Sequence, residues 1–180
     1  MKIIDKNFKE MMFSQTFSII GGVIAGTFLA IYTEKILLIP GMLIILPGFL
    51  EMRGNISGSL ASRLSSGLFL GIINPNKFRT RIIKCNIIAS FLLVVIVSFF
   101  LGTIGLLINY LVFRKLILEI FFIPIIAGII SNAIEIPLTI FLTFHLFRKG
   151  EDPNNIMGPI ITSTGDITSI FSLLISLVIV

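Results

Sequence analysis

The sequence predicts an all-α integral membrane protein with five transmembrane helices, on three observations. Hydrophobic residues make up 56% of the chain and charged residues only 13%, against about half and about a quarter in soluble domains. Mean hydropathy is +1.07. The apolar residues fall in runs long enough to cross a ~30 Å hydrocarbon core, which takes ~20 helical residues, and most charges gather between those runs. The 180 residues fill one compact bundle, expected as a single transmembrane domain over 1–180 with no room for a separate soluble one.

Residues 1–12 read as a charged, amphipathic, cytoplasmic lead-in. They mix Lys2, Asp5, Lys6, Lys9 and Glu10, and no small-residue cleavage pattern follows, so no cleavable signal peptide is expected. Phe13–Tyr32 is the first span, with Gly21, Gly22, Ala25 and Gly26 as its close-packing face. Leu37–Ile73 holds 37 residues, or ~55 Å as one helix. Charge counting reads it as one broken or over-long second element, interrupted near Gly54, rather than two spans. Ile82–Ile108 is a nearly apolar third span, a lipid-facing structural helix, and Asn109–Lys115 an outer loop. Leu116–Phe147 is the fourth element, interrupted by Pro124 and Pro137, and Pro159–Val180 the fifth span. Five crossings with a cytoplasmic N-terminus put the C-terminus outside. Nine Lys and Arg then fall inside and three outside, the asymmetry that the positive-inside rule requires. A multi-pass protein of the cell membrane is the expectation.

Composition excludes several function classes. The net charge of +5 comes from residues flanking apolar spans, so topology accounts for it and a nucleic-acid partner does not. One cysteine, Cys85, and one histidine, His145, supply neither a disulfide framework nor a zinc centre. No nucleophile–base arrangement can be assembled, and the chain does not read as an enzyme.

The remaining signal is polar sequence inside apolar sequence. Glu51, Asn55, Ser59 and Ser62 succeed one another at i+4, i+4 and i+3, so a helix puts them on one face. Ionisable groups at membrane depth face a bundle interior or a hydrated cavity. Asp166, with Thr162 one turn before it, Ser163 beside that and Ser169 one turn after, offers hard oxygen ligands that suit a hard cation such as Mg²⁺. A helix-packing Asp is the competing reading. Glu51 is either an ion-site group or the structural partner of Arg53 or Arg63. Glu135, three residues past Asn132, is either a ligand or the partner of an arginine from the second element.

Two stretches carry a resemblance. PGFLEMRGNISGSLASRLSSG, residues 47–67, resembles the Pro…Gly-Asn…Ser segment of the MgtE-type magnesium transporters, and is similar to the version in the related animal solute carriers. DPNNIMGPIITSTGDITSIFSLLI, residues 152–175, resembles that family's entry into its final span. The resemblance implies a five-helix domain that translocates Mg²⁺ as one half of a pair, with itself or with a paralogous half. It implies that Asp166 binds the ion on the pore axis and that Gly54 and Asn55 line the pore. Glu51 and Arg53 beside the Gly-Asn depart from the bacterial pattern. The sensor region that bacterial members place before the membrane domain has no counterpart in these residues. Asp166, Asn55, Thr162, Ser163, Gly54, Glu51 and Glu135 are therefore the expected metal-site residues. A proton- or sodium-coupled carrier relaying through Glu51, Glu135 and Asp166, and a non-transporting scaffold, are the alternatives.

Overall fold

A computed structural model describes residues 5–180, in which five helices alternate in direction and all described secondary structure is helical. Helix α1 spans Lys6–Leu37, α2 Met42–Phe69, α3 Arg81–Phe113, α4 Glu119–Arg148 and α5 Pro153–Ile179. Their starts are specified by short polar residues. Asp5 accepts from the Phe8 amide at 2.8 Å, Thr80 caps α3, and Asp152 accepts from the Asn154 amide at 2.9 Å just before Pro153 at the first helical position. Gly41, at φ 89°, takes the left-handed conformation that turns the chain into α2.

Four helices, α1, α3, α4 and α5, are long and apolar enough to cross a membrane. The polar residues of α2 remove it from that class despite its 28 residues. The second element is not broken. It runs unbroken through Gly54, and the expected excess length is absorbed by turns at residues 38–41 and 70–73. Pro124 and Pro137 likewise lie inside a continuous α4. The first span is continuous with most of the lead-in, of which residues 1–4 lie outside the described residues. Helix α3 continues through most of the expected outer loop to Phe113, and Asn109 closes what remains by donating to the Lys115 carbonyl at 3.0 Å.

Helix α2 packs against α3, α4 and α5, while α1 is laid on α5 and scarcely meets α2. Two larger apolar clusters, with a small third one of Ala61, Met157 and Ile161, form the core. One gathers Phe49, Met42, Ile45, Ile120, Ile123 and Leu173; the other gathers Leu60, Leu64, Leu68, Ile83, Ile136 and Phe144. Between them along α2 and α4 lies a buried polar layer that includes Arg53, Ser57, Asn132 and Glu135. One end of the bundle joins the α1 start, the α2–α3 connection and the α4–α5 turn. Lys6 lies within 4.0 Å of Glu151, Asn155 donates to Glu10 at 2.9 Å, and Arg148 donates to the Pro75 carbonyl.

The packing face of α1 differs from the expected one by a rotation. Gly21 and Ala25 are buried, and a Cβ on Gly21 would stand 2.7 Å from the Ser163 Cβ of α5. Gly22 and Gly26 face away, with no neighbour within 4 Å of a built Cβ among the described residues.

Candidate functional site

Residues 51–67 alternate between buried and exposed with helical period, and the exposed set is the polar one. Glu51, Asn55, Ser59, Ser62 and Ser66 are all exposed, whereas Met52, Arg53, Ile56, Ser57, Leu60 and Ala61 are buried. The stripe therefore looks out of a single chain, beside the face of α5 that carries Gly158, Thr162 and Asp166. Between the two helices lies a cavity of about 540 Å³ lined by Pro47, Leu50, Glu51, Gly54, Asn55, Gly58, Ser59, Gly158, Thr162 and Asp166. Glycines at 54, 58 and 158 keep it open, since no side chain occupies those positions.

Asp166 sits midway along α5, because that helix begins at Pro153 rather than Pro159. Its side chain is 29% exposed, into the cavity. Glu51 is held from its own helix, accepting from Asn55 Nδ2 at 3.0 Å. Thr162 spends its hydroxyl proton on the Gly158 carbonyl at 3.0 Å, which leaves its oxygen lone pairs free to accept. The cavity thus presents two carboxylates, one amide and the hydroxyls of Ser59 and Thr162, all oxygen ligands of the kind hard cations prefer.

Of the seven expected site residues, the structure brings five together: Glu51, Gly54, Asn55, Thr162 and Asp166. The other two lie elsewhere. Ser163 is buried against Gly21 and donates to the Ile160 carbonyl at 3.2 Å. Glu135 is fully buried behind the cavity, where Thr168 donates to its Oε1 at 2.9 Å and Arg53 Nη1 stands 3.5 Å from its Oε2. Arg53 also reaches Asp166, with Nη2 3.8 Å from Oδ1. Glu51 pairs with neither nearby arginine; Arg63 instead donates to Ser90 Oγ at 3.4 Å. His145 stacks on Phe141 at the surface, remote from these groups.

Sequence reasoning named one edge of the triad of Arg53, Glu135 and Asp166 as an alternative, Glu135 with an arginine of the second element, and missed that Asp166 joins it. The signal for half of it was present: residues two apart on a helix point ~200° apart, so Arg53 could not share the face of Glu51. Which helix its face meets is a tertiary fact.

Four apolar helices of spanning length, packed with a fifth that carries a polar face, define a multi-pass helical membrane protein with a hydrophilic site between α2 and α5. A family model, MgtE, described as a divalent cation transporter, matches residues 46–176, and the chain belongs to that family. The match takes in both stretches that carried the resemblance. Transport of divalent cations is the family's activity, and the family is one of transporters rather than enzymes. Comparison with curated proteins and with solved structures found no match.

Proposed function

We propose that two copies of this chain pair across the α2–α5 face and enclose a path for Mg²⁺, with Asp166 of each copy as the principal ion-binding group. The observation that carries this reading is the uncovered polar stripe. In one chain, Glu51, Asn55, Ser59 and Ser62 face outward from α2, which is 28 residues long and packed among four helices apolar enough to cross a membrane. Such groups against lipid are expensive, and a second copy laid over them turns two open cavities into one hydrated passage. Glu51, Asn55, Gly54 and Thr162 then surround the ion around Asp166.

Hydration favours Mg²⁺ among the divalent ions. Mg²⁺ gives up its inner waters reluctantly and is bound through few carboxylates. Six waters at ~30 Å³ each fill about 180 Å³, so a cavity of about 540 Å³ has room for the hydrated ion in each half. Formal charge favours a cation: Glu51, Glu135 and Asp166 outweigh Arg53 in each chain when all are ionised.

Orientation follows from the joined end of the bundle. Lys6, Lys9, Lys77, Arg79, Arg81, Lys84, Arg148 and Lys149 lie at the end that holds the N-terminus, and Lys35, Arg114 and Lys115 at the other. The N-terminal end is then cytoplasmic and the C-terminus outside, with α2 crossing as the fifth span. A relay of protons through Glu51, Glu135 and Asp166 has less support, because Glu135 is enclosed with Arg53 rather than open to the cavity.

Mg²⁺ uptake into liposomes containing only this protein tests the reading. Wild-type protein is expected to carry Mg²⁺, and Asp166→Asn, which keeps the shape and removes the charge, to lose more than about tenfold of the rate. Equal uptake by the two would overturn the assignment of the site.

A further inference from the structure

We propose that Arg53 is a built-in counter-cation that competes with the transported ion for Asp166, and that Glu135 retains Arg53 when the ion is bound. This rests on the assignment of Asp166 to the ion site. The two carboxylates around the guanidinium are unlike. Glu135 is fully buried and anchored on its far oxygen by Thr168 at 2.9 Å, so nothing entering from the cavity meets it. Asp166 is partly exposed to the cavity while its Oδ1 faces Arg53 at 3.8 Å. One partner is fixed and the other is exchangeable.

Arg53 itself is held by charge and shape rather than by directed bonds. Both ion-pair distances, 3.5 and 3.8 Å, are long for charge-assisted hydrogen bonds, and none of its three guanidinium nitrogens has a hydrogen-bond partner among the described residues. Its head lies across the α5 backbone at Gly165, where any Cβ would collide with the guanidinium. Glycine immediately before Asp166 is thus what admits an arginine from α2 to the back of the ion site. A guanidinium so placed can relax toward Glu135 without leaving its slot.

Competition with a tethered cation selects by valence. A monovalent ion brings the same charge as the guanidinium and faces a rival at high effective concentration. A divalent ion brings twice the charge and displaces it. Arg53 is in this account a specificity-determining residue, and Glu135 a positioning residue that acts through it.

The test is Mn²⁺ binding to purified protein, followed by the paramagnetic signal of free Mn²⁺, in wild type, Asp166→Asn, Glu135→Gln and the double variant Arg53→Gln with Glu135→Gln. Removing Glu135 alone leaves Arg53 with Asp166 as its one partner, so the binding midpoint should rise about tenfold. The double variant removes competitor and anchor together, and its midpoint should return to the wild-type value or below. Because both buried charges go at once, it is also the variant most apt to keep its fold. Physiological Na⁺ should weaken Mn²⁺ binding in the double variant and not in wild type. A double variant as weak as Glu135→Gln would make Glu135 a ligand and overturn the proposal. Unchanged midpoints in both variants, or a double variant as insensitive to Na⁺ as wild type, would overturn it as well. If Asp166→Asn binds Mn²⁺ like wild type, the site assignment falls first and this proposal falls with it; loss in Asp166→Asn alone would leave that assignment standing.

Discussion

Glu51 and Arg53, two residues apart in sequence, occupy opposite sides of α2. Glu51 stands at the cavity mouth with Asn55, while Arg53 is wholly enclosed between α2, α4 and α5. Their environments set what each charge is worth. Two charges ~4 Å apart interact by about 1 kcal/mol in water and about 4 kcal/mol at an effective dielectric constant near 20. Glu51 belongs to the wetter limit and Asp166, backed by buried groups, to the drier. Glu51→Gln should therefore raise the Mg²⁺ concentration for half-maximal uptake by about fivefold while leaving the maximal rate near wild type. Loss of the maximal rate itself would place Glu51 at the passage of the bound ion rather than at its capture. Single residues were legible where period alone decides: the i, i+4, i+8 and i+11 face of Glu51, Asn55, Ser59 and Ser62 needed only helical geometry. The burial of Ser163 was not legible, and the choice for Glu135 between ligand and partner of an α2 arginine stayed open, because each depends on a helix distant in sequence.

Helix positions were read well and helix faces less so. All five helices fall where apolar runs place them, yet internal prolines and Gly54 were given too much weight as breaks. Proline within a helix is tolerated at membrane depth when neighbouring helices or a water-lined cavity re-satisfy the freed backbone groups; Pro124 is buried in the bundle, and Pro47 lines the cavity. The α1–α5 seam shows the same limit from the other side. Gly21 and Gly22 are equivalent by composition, and only the contact with Ser163 separates them. Gly21→Val should destabilise the fold by about 1–3 kcal/mol through overpacking, read as a lower thermal unfolding temperature in detergent. Gly22→Val, pointing into open space, should leave that temperature unchanged. The reverse ranking would mean that α1 is rotated from the orientation described here.

At the scale of the whole molecule, the central fact is an unfinished surface. Most of the bundle exterior is apolar, as lipid requires; α3 alone exposes Leu92, Ile96, Phe99, Phe100, Ile104 and Leu107 while it buries Ser90, Ser98, Gly102 and Gly105. The α2–α5 face departs from that rule, and the account of transport follows from covering it with a second copy. Sequence alone made the stripe visible and the family match agrees with the kind of cargo, but pairing is a property of two chains and cannot be read from one. The most direct measurement is Mg²⁺ uptake by liposomes in which wild-type and Asp166→Asn chains, produced together in one cell, are mixed in varied proportion. If each passage needs Asp166 from two chains, uptake falls as the square of the wild-type fraction. A fall in simple proportion would mean that each chain conducts alone, and uptake independent of the fraction would remove Asp166 from the path; either would contradict the paired passage proposed here.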